Sequence, residues 1–125
     1  VIVHGLTPAR AAVAVRADVL LLSAPGAGAY AGAGWFAALV RQAGAARAAL
    51  DCGPDAGAVL AAFRAGLQCA VFTGDAAMAR RLATVAEEAG ATLLRAAPPA
   101  LDLVGWRPTP WWRARLAAHL AGAGG

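Results

Sequence analysis

The sequence predicts an α/β domain of about five parallel strands alternating with helices, and three observations carry that prediction. Short apolar runs recur along the chain as VIVH (1–4), VLLLS (19–23), AALDC (48–52), CAVFT (69–73) and TLLR (92–95). Most are apolar at successive positions, as strands buried on both faces are. Between them lie helical segments with clear start and stop signals, and Ala-Gly pairs at 43–44, 65–66 and 89–90 recur at a spacing that suits one strand–helix unit each. Right-handed crossovers then leave two closures: an open doubly wound (flavodoxin-like) sheet or a partial βα barrel. Residues 1–104 are expected to form the βα-repeat domain, with 105–125 a Trp/Pro-rich segment and a C-terminal helix packed on the same core.

Taken in order, Thr7-Pro8 reads as the N-cap and first residue of a helix after the first strand. The segment from Val19 to Val40 holds no charge, yet its middle, SAPGAGAYAGAG, is too rich in glycine for a membrane span and reads as strand, loop and the start of a helix near Trp35. Asp55 and Asp75 are expected to cap the next two helices. Val59, Leu60, Phe63 and Leu67 fall on one helical face, and Met78, Leu82 and Val85 on another, while Arg80, Arg81, Glu87 and Glu88 take the solvent side. After Arg95, four prolines and three tryptophans in AAPPALDLVGWRPTPWW exclude a regular element up to Thr109. Thr109-Pro110 then repeats the helix-start signal, and Trp112, Leu116 and Leu120 form the apolar stripe of a last helix.

Composition narrows the chemistry. The 125 residues are 60% hydrophobic and 14% charged, with much of the apolar share supplied by alanine, so close packing of elements must replace bulky side chains. All 11 basic residues are arginines, set against five Asp and two Glu for a net charge of +4. Without lysine there is neither a Schiff-base amine nor a P-loop lysine. The arginines are scattered, so neither nucleic acid nor a membrane is expected as a partner. Cys52 and Cys69 lack the spacing of a redox motif or a disulfide scaffold and read as reduced thiols, which predicts a cytoplasmic protein. The chain opens on Val1 within an apolar run and shows no basic leader of a secretion signal.

Each strand surfaces at a polar residue: His4, Ser23, Asp51 with Cys52, Thr73 before Asp75, and Arg95. In a parallel sheet these emerge at one carboxyl edge, where α/β domains bind ligands. Asp51 and His4 are the expected catalytic groups, with Ser23, Gly26, Gly28, Thr73, Asp75 and Arg95 as ligand contacts. A turn role for Asp51 before Gly53-Pro54 is the competing expectation. Strand order decides the pairing. The flavodoxin-like order 2-1-3-4-5 places His4 beside Asp51 and Cys52, where a thiol–imidazole pair is conceivable; barrel order places it beside Ser23.

The loop from Ser23 to Gly34 can turn backbone N–H groups toward an anion, and Gly26-Ala27-Gly28-Ala29-Tyr30-Ala31 matches the dinucleotide pattern with alanine in the last position. A small anionic ligand is therefore the expected partner. The competing reading is a small-residue surface on which Tyr30 packs. The residues do not identify a cofactor. With His4 and His119 the only histidines, and far apart, no metal site is expected. An alternative function rests on Trp106, Trp111 and Trp112 among Arg107, Arg113 and Arg115: a non-catalytic interaction domain or homodimer joined through this segment.

The segments LLLSAPGAGAY, GWFAALV, ALDCG, AVLAAFRAG and PPALDL resemble a type of small alanine-rich bacterial α/β protein with no assigned activity. The likeness spans most of the chain and implies a fold without a function. More distantly, the repeated βα units resemble phosphate-binding βα barrels, although five units fall short of eight and no phosphate-grip motif is present.

Overall fold

The computed structural model describes residues 1–123. Helix α1 (Leu6–Val15) leads into β1 (Leu20–Leu22), followed by a single helical turn, α2 (Ala27–Tyr30), and by α3 (Ala33–Ala43). Then come β2 (Arg47–Asp51), α4 (Ala56–Arg64), β3 (Cys69–Val71), α5 (Ala76–Glu88), β4 (Thr92–Leu94) and α6 (Pro110–Ala123). The four strands are parallel and neighbour one another in chain order, β1-β2-β3-β4, with Leu22 opposite Ala49, Asp51 opposite Val71 and Val71 opposite Leu94. The order is therefore consecutive and departs from the flavodoxin-like 2-1-3-4-5.

The first expected strand is reduced to one residue. Ile2 forms parallel bridges with Leu22 on one side and Asp102 on the other. Backbone bonds from Val3 N–H to Leu22 O at 2.9 Å and from Leu103 N–H to Ile2 O at 2.9 Å extend this contact. Segments 101–103 and 1–3 thus continue the sheet beyond β1. The 101–103 contact falls inside the stretch expected to be irregular, because Leu101 and Leu103 flank Asp102 in a short alternation between the prolines.

Consecutive order puts every right-handed crossover on the same face. Helices α6, α1, α3, α4 and α5 accordingly lie side by side, and the main core forms between them and one face of the sheet. Strand alternation sorts the residues cleanly. Val3, Leu21, Leu50, Ala70 and Phe72 face the helices, while Leu22, Ala49 and Val71 build a separate buried cluster on the other face, flanked by half-buried Ile2, Leu20, Cys69, Leu94 and Ala100. Alanine makes the helical layer thin: Ala9, Ala12, Ala58, Ala62, Ala79 and Ala86 are all buried.

Two helix starts match the sequence closely. Asp55 accepts from Ala58 N–H at 3.0 Å and Asp75 from Met78 N–H at 3.0 Å. The two Thr-Pro pairs behave differently. Thr109 accepts from Trp112 N–H at 3.3 Å, but α1 begins at Leu6 with Gly5 as its cap and no side-chain bond. The helix starts two residues upstream of the expected position, with half-buried Leu6 packed against the core and Thr7 in the first turn. Along α6, Leu116 and Leu120 are buried and Trp112 packs on the core, as the stripe predicts, and Trp106 is buried with them. Trp111 instead lies 62% exposed, in edge contact with Trp112 and under the Arg115 guanidinium. No helix among the described residues is long and apolar enough to cross a membrane.

Candidate functional site at the carboxyl edge

Along the carboxyl edge the neighbouring chain segments bring Asp102, His4, Ser23, Asp51, Thr73 and Arg95 into a row, in that order. Alternation divides the row. His4, Asp51, Thr73 and Asp102 share the parity of Ile2, Ala49, Val71 and Ala100, whose side chains belong to the face turned away from the helices. They form a polar rim above the apolar floor of Leu22, Ala49 and Val71. Ser23 and Cys52 share the parity of the helix-facing residues and are fully buried.

Most of these groups are already bonded to the protein. Asp51 is 5% exposed, and its Oδ1 accepts from Gly26 N–H at 3.2 Å and from Gly53 N–H at 2.9 Å. The Gly53 bond is the turn role foreseen for an aspartate two residues before that amide. Ser23 Oγ accepts from Asp51 N–H at 2.8 Å, which pins β2 to the end of β1. Arg95 donates from Nη1 to Phe72 O at 2.9 Å and from Nη2 to Gly74 O at 2.8 Å, with its guanidinium 5.5 Å from the Phe72 ring centre. The Asp75 carboxylate is a helix cap.

The glycine loop is also committed. Gly26 donates to Asp51, while the amides of Ala27, Ala29, Ala31 and Gly32 bond within the loop and α2. The anion that this loop holds is the protein's own Asp51, so the donors on which an external anionic ligand was expected are largely spent. Gly26 has φ of 71°, in the left-handed region that glycine adopts without strain. Gly28 is needed for another reason: a Cβ there would lie 2.9 Å from Cys52 Sγ and 3.2 Å from Cys52 Cα, so α2 seats directly on the end of β2. Packing alone thus requires glycine at position 28. Tyr30, expected in one reading to pack on a neighbouring element, is 70% exposed.

The thiol–imidazole pair is not formed. Cys52 is sealed on the helix side, its thiol directed to Leu50 O at 3.6 Å. Burial, with added repulsion from Asp51 and Asp55, pushes the thiol up to about 12, so it stays protonated and unreactive.

His4 instead meets Asp102. The imidazole Nε2 lies 2.6 Å from Asp102 Oδ1, across 98 residues of sequence, and both side chains remain partly open to solvent. Asp102 Oδ1 also accepts from Val104 N–H at 2.9 Å, which fixes the carboxylate. With Nε2 bonded to a carboxylate, the neutral ring carries its proton there and presents Nδ1 as a bare acceptor. This geometry is that of a base held by an orienting acid. Asp102 was not among the residues expected at the site. Its signal was the Leu-Asp-Leu alternation at 101–103, obscured by the surrounding prolines.

Among the described residues no group of three or more His, Cys, Asp or Glu side chains is arranged to hold a metal ion. No family model matches the chain, and no curated protein or solved structure shows detectable similarity to it.

Proposed function

We propose that the chain is a partial βα barrel that binds a small polar molecule at the inner rim of its carboxyl edge, with His4 as general base and Asp102 as its orienting acid. The observation that carries this reading is the 2.6 Å His4–Asp102 pair, placed by two neighbouring parallel segments at the edge where such sheets present their sites. Consecutive strand order and a single helical layer support the barrel reading. Thr73, exposed on the same rim, supplies a hydroxyl two strands further along from Ser23, and the apolar floor beneath excludes water from one side of a bound molecule.

Charge favours a neutral, hydroxylated ligand over a phosphate. The carboxylates of Asp51, Asp75 and Asp102 outnumber the single guanidinium of Arg95 along this edge, and the loop amides are engaged. A hydroxyl placed on His4 Nδ1 would donate its proton to the ring, and Asp102 would stabilise the resulting imidazolium.

The reading is tested by a thermal-shift panel of neutral polyols and sugars, hydroxy acids, sugar phosphates and nucleotides, run on the natural chain, His4→Gln and Asp102→Asn. At 100 times Kd a ligand stabilises by about 2.7 kcal/mol, or roughly 10 °C for a domain of this size. Hydroxylated compounds should shift the natural chain and neither variant. A shift preserved in both variants, or none across the panel, overturns the proposal.

A further inference from the structure

A cavity lies at the opposite, amino edge of the sheet. It encloses about 550 Å³ and its walls include Leu20, Leu67, Leu94, Arg47, Cys69 and Thr92. Leu20, Cys69 and Leu94 reach it from the inner face, and Leu67 from the helix side, so the cavity undercuts the ends of β1, β3 and β4. Its volume is that of a small-molecule site. The buried layer of Leu22, Ala49 and Val71 separates it from the rim that holds His4.

Its polar character is one-sided. Arg47 is exposed, and only one guanidinium bond is formed, from Nη1 to the Asp18 backbone carbonyl at 3.2 Å. That bond orients the group and leaves its other donors open. No carboxylate lines the cavity. Arg41 and Arg64 lie in the last turns of α3 and α4, which return the chain to this same edge, while the Asp18 carboxylate, which feels the charge of Arg47, is held by Arg16. A compact polyanion would match the arginine and leave the leucine walls unpaired with anything apolar. A hydrocarbon would do the reverse.

We propose that this cavity binds a medium-chain aliphatic carboxylate, its head group on Arg47 and its chain against Leu20, Leu67 and Leu94. A carboxylate takes a guanidinium through two parallel hydrogen bonds, which an alcohol of the same length cannot reproduce. Cys69 supplies a built-in reporter, because its half-buried thiol lines the cavity while Cys52 is sealed elsewhere.

The test is calorimetric titration of the full chain with sodium octanoate, paired with iodoacetamide alkylation of Cys69 under alkaline conditions with and without octanoate. Expected are one saturable equivalent, slowed alkylation of Cys69 in the occupied protein, and affinity at least about tenfold weaker for 1-octanol or for Arg47→Gln. Arg80→Gln removes the same charge from the exposed side of α5 and should bind octanoate as the natural chain does. Absence of saturable binding, unchanged Cys69 alkylation, or equal weakening by Arg47→Gln and Arg80→Gln overturns the proposal.

Discussion

The two edges of the sheet use polar residues in opposite ways. At the carboxyl edge, Ser23, Asp51, Asp55, Asp75 and Arg95 spend their hydrogen bonds on the protein itself, fixing the loops that follow each strand. At the amino edge, Arg47 retains open donors beside a cavity of about 550 Å³. A row of polar side chains at strand ends is therefore not equivalent to a site; what remains after the backbone has been satisfied is. By that measure the carboxyl edge reduces to His4, Asp102 and Thr73, and the amino edge to Arg47 with the thiol of Cys69.

Substitutions can break or sharpen this contrast. The largest effect is expected at Asp51→Ala, which strips a bonded carboxylate from the Gly26 and Gly53 amides: a loss of about 3 kcal/mol in urea unfolding, from charged hydrogen bonds worth about 1.5–3 kcal/mol each before relaxation. A loss below about 1 kcal/mol would show that the loops hold without it. Gly28→Ala should cost about 1–3 kcal/mol, because the added methyl has no room beside Cys52 and neither backbone can easily retreat. Asp75→Ala removes a cap and should cost about 1 kcal/mol. Arg47→Gln, at the free edge, should leave stability within about 0.5 kcal/mol. If it proved as costly as the cap, the amino edge would be as structural as the carboxyl edge.

The smallest effect concerns pH. The Arg16 guanidinium, 2.7 Å from Asp18, lowers that carboxyl below its ordinary 3.8. A depressed carboxylate contributes stability above its unfolded value and loses it as pH falls through the folded one. Asp18 is fully exposed, so solvent screens the pair. Its effect should appear only as a slight steepening of acid unfolding below the usual carboxylate range, absent in Asp18→Asn.

Features set by local chemistry were legible in the sequence. Asp55 and Asp75 cap helices because a carboxylate two or three residues before free amides needs nothing distant, and Gly44, Gly66 and Gly90 adopt positive φ at or just past helix ends for the same reason. Three of the four strands fall within their expected runs, and β2 begins one residue before its own. Strand order was not legible, since parallel neighbours are chosen by contacts between whole units. His4 and Asp102 could not be paired in advance, and the Thr7 cap failed where Leu6 packs, half-buried, against the core, a tertiary matter that the identical dipeptide at Thr109 does not meet. Cys52 looked like a partner for His4 only while its face of β2 was unknown.

The sealing of Cys52 between α2 and the end of β2 has a kinetic meaning. With no path to solvent in the native state, its modification must wait for the helix layer to part from the sheet, whereas Cys69 needs only a local excursion at one cavity wall. The two thiols thus time two different openings of the same molecule, and their labelling rates in one experiment measure how far cooperative unfolding lies above ordinary breathing in a core built largely of alanine.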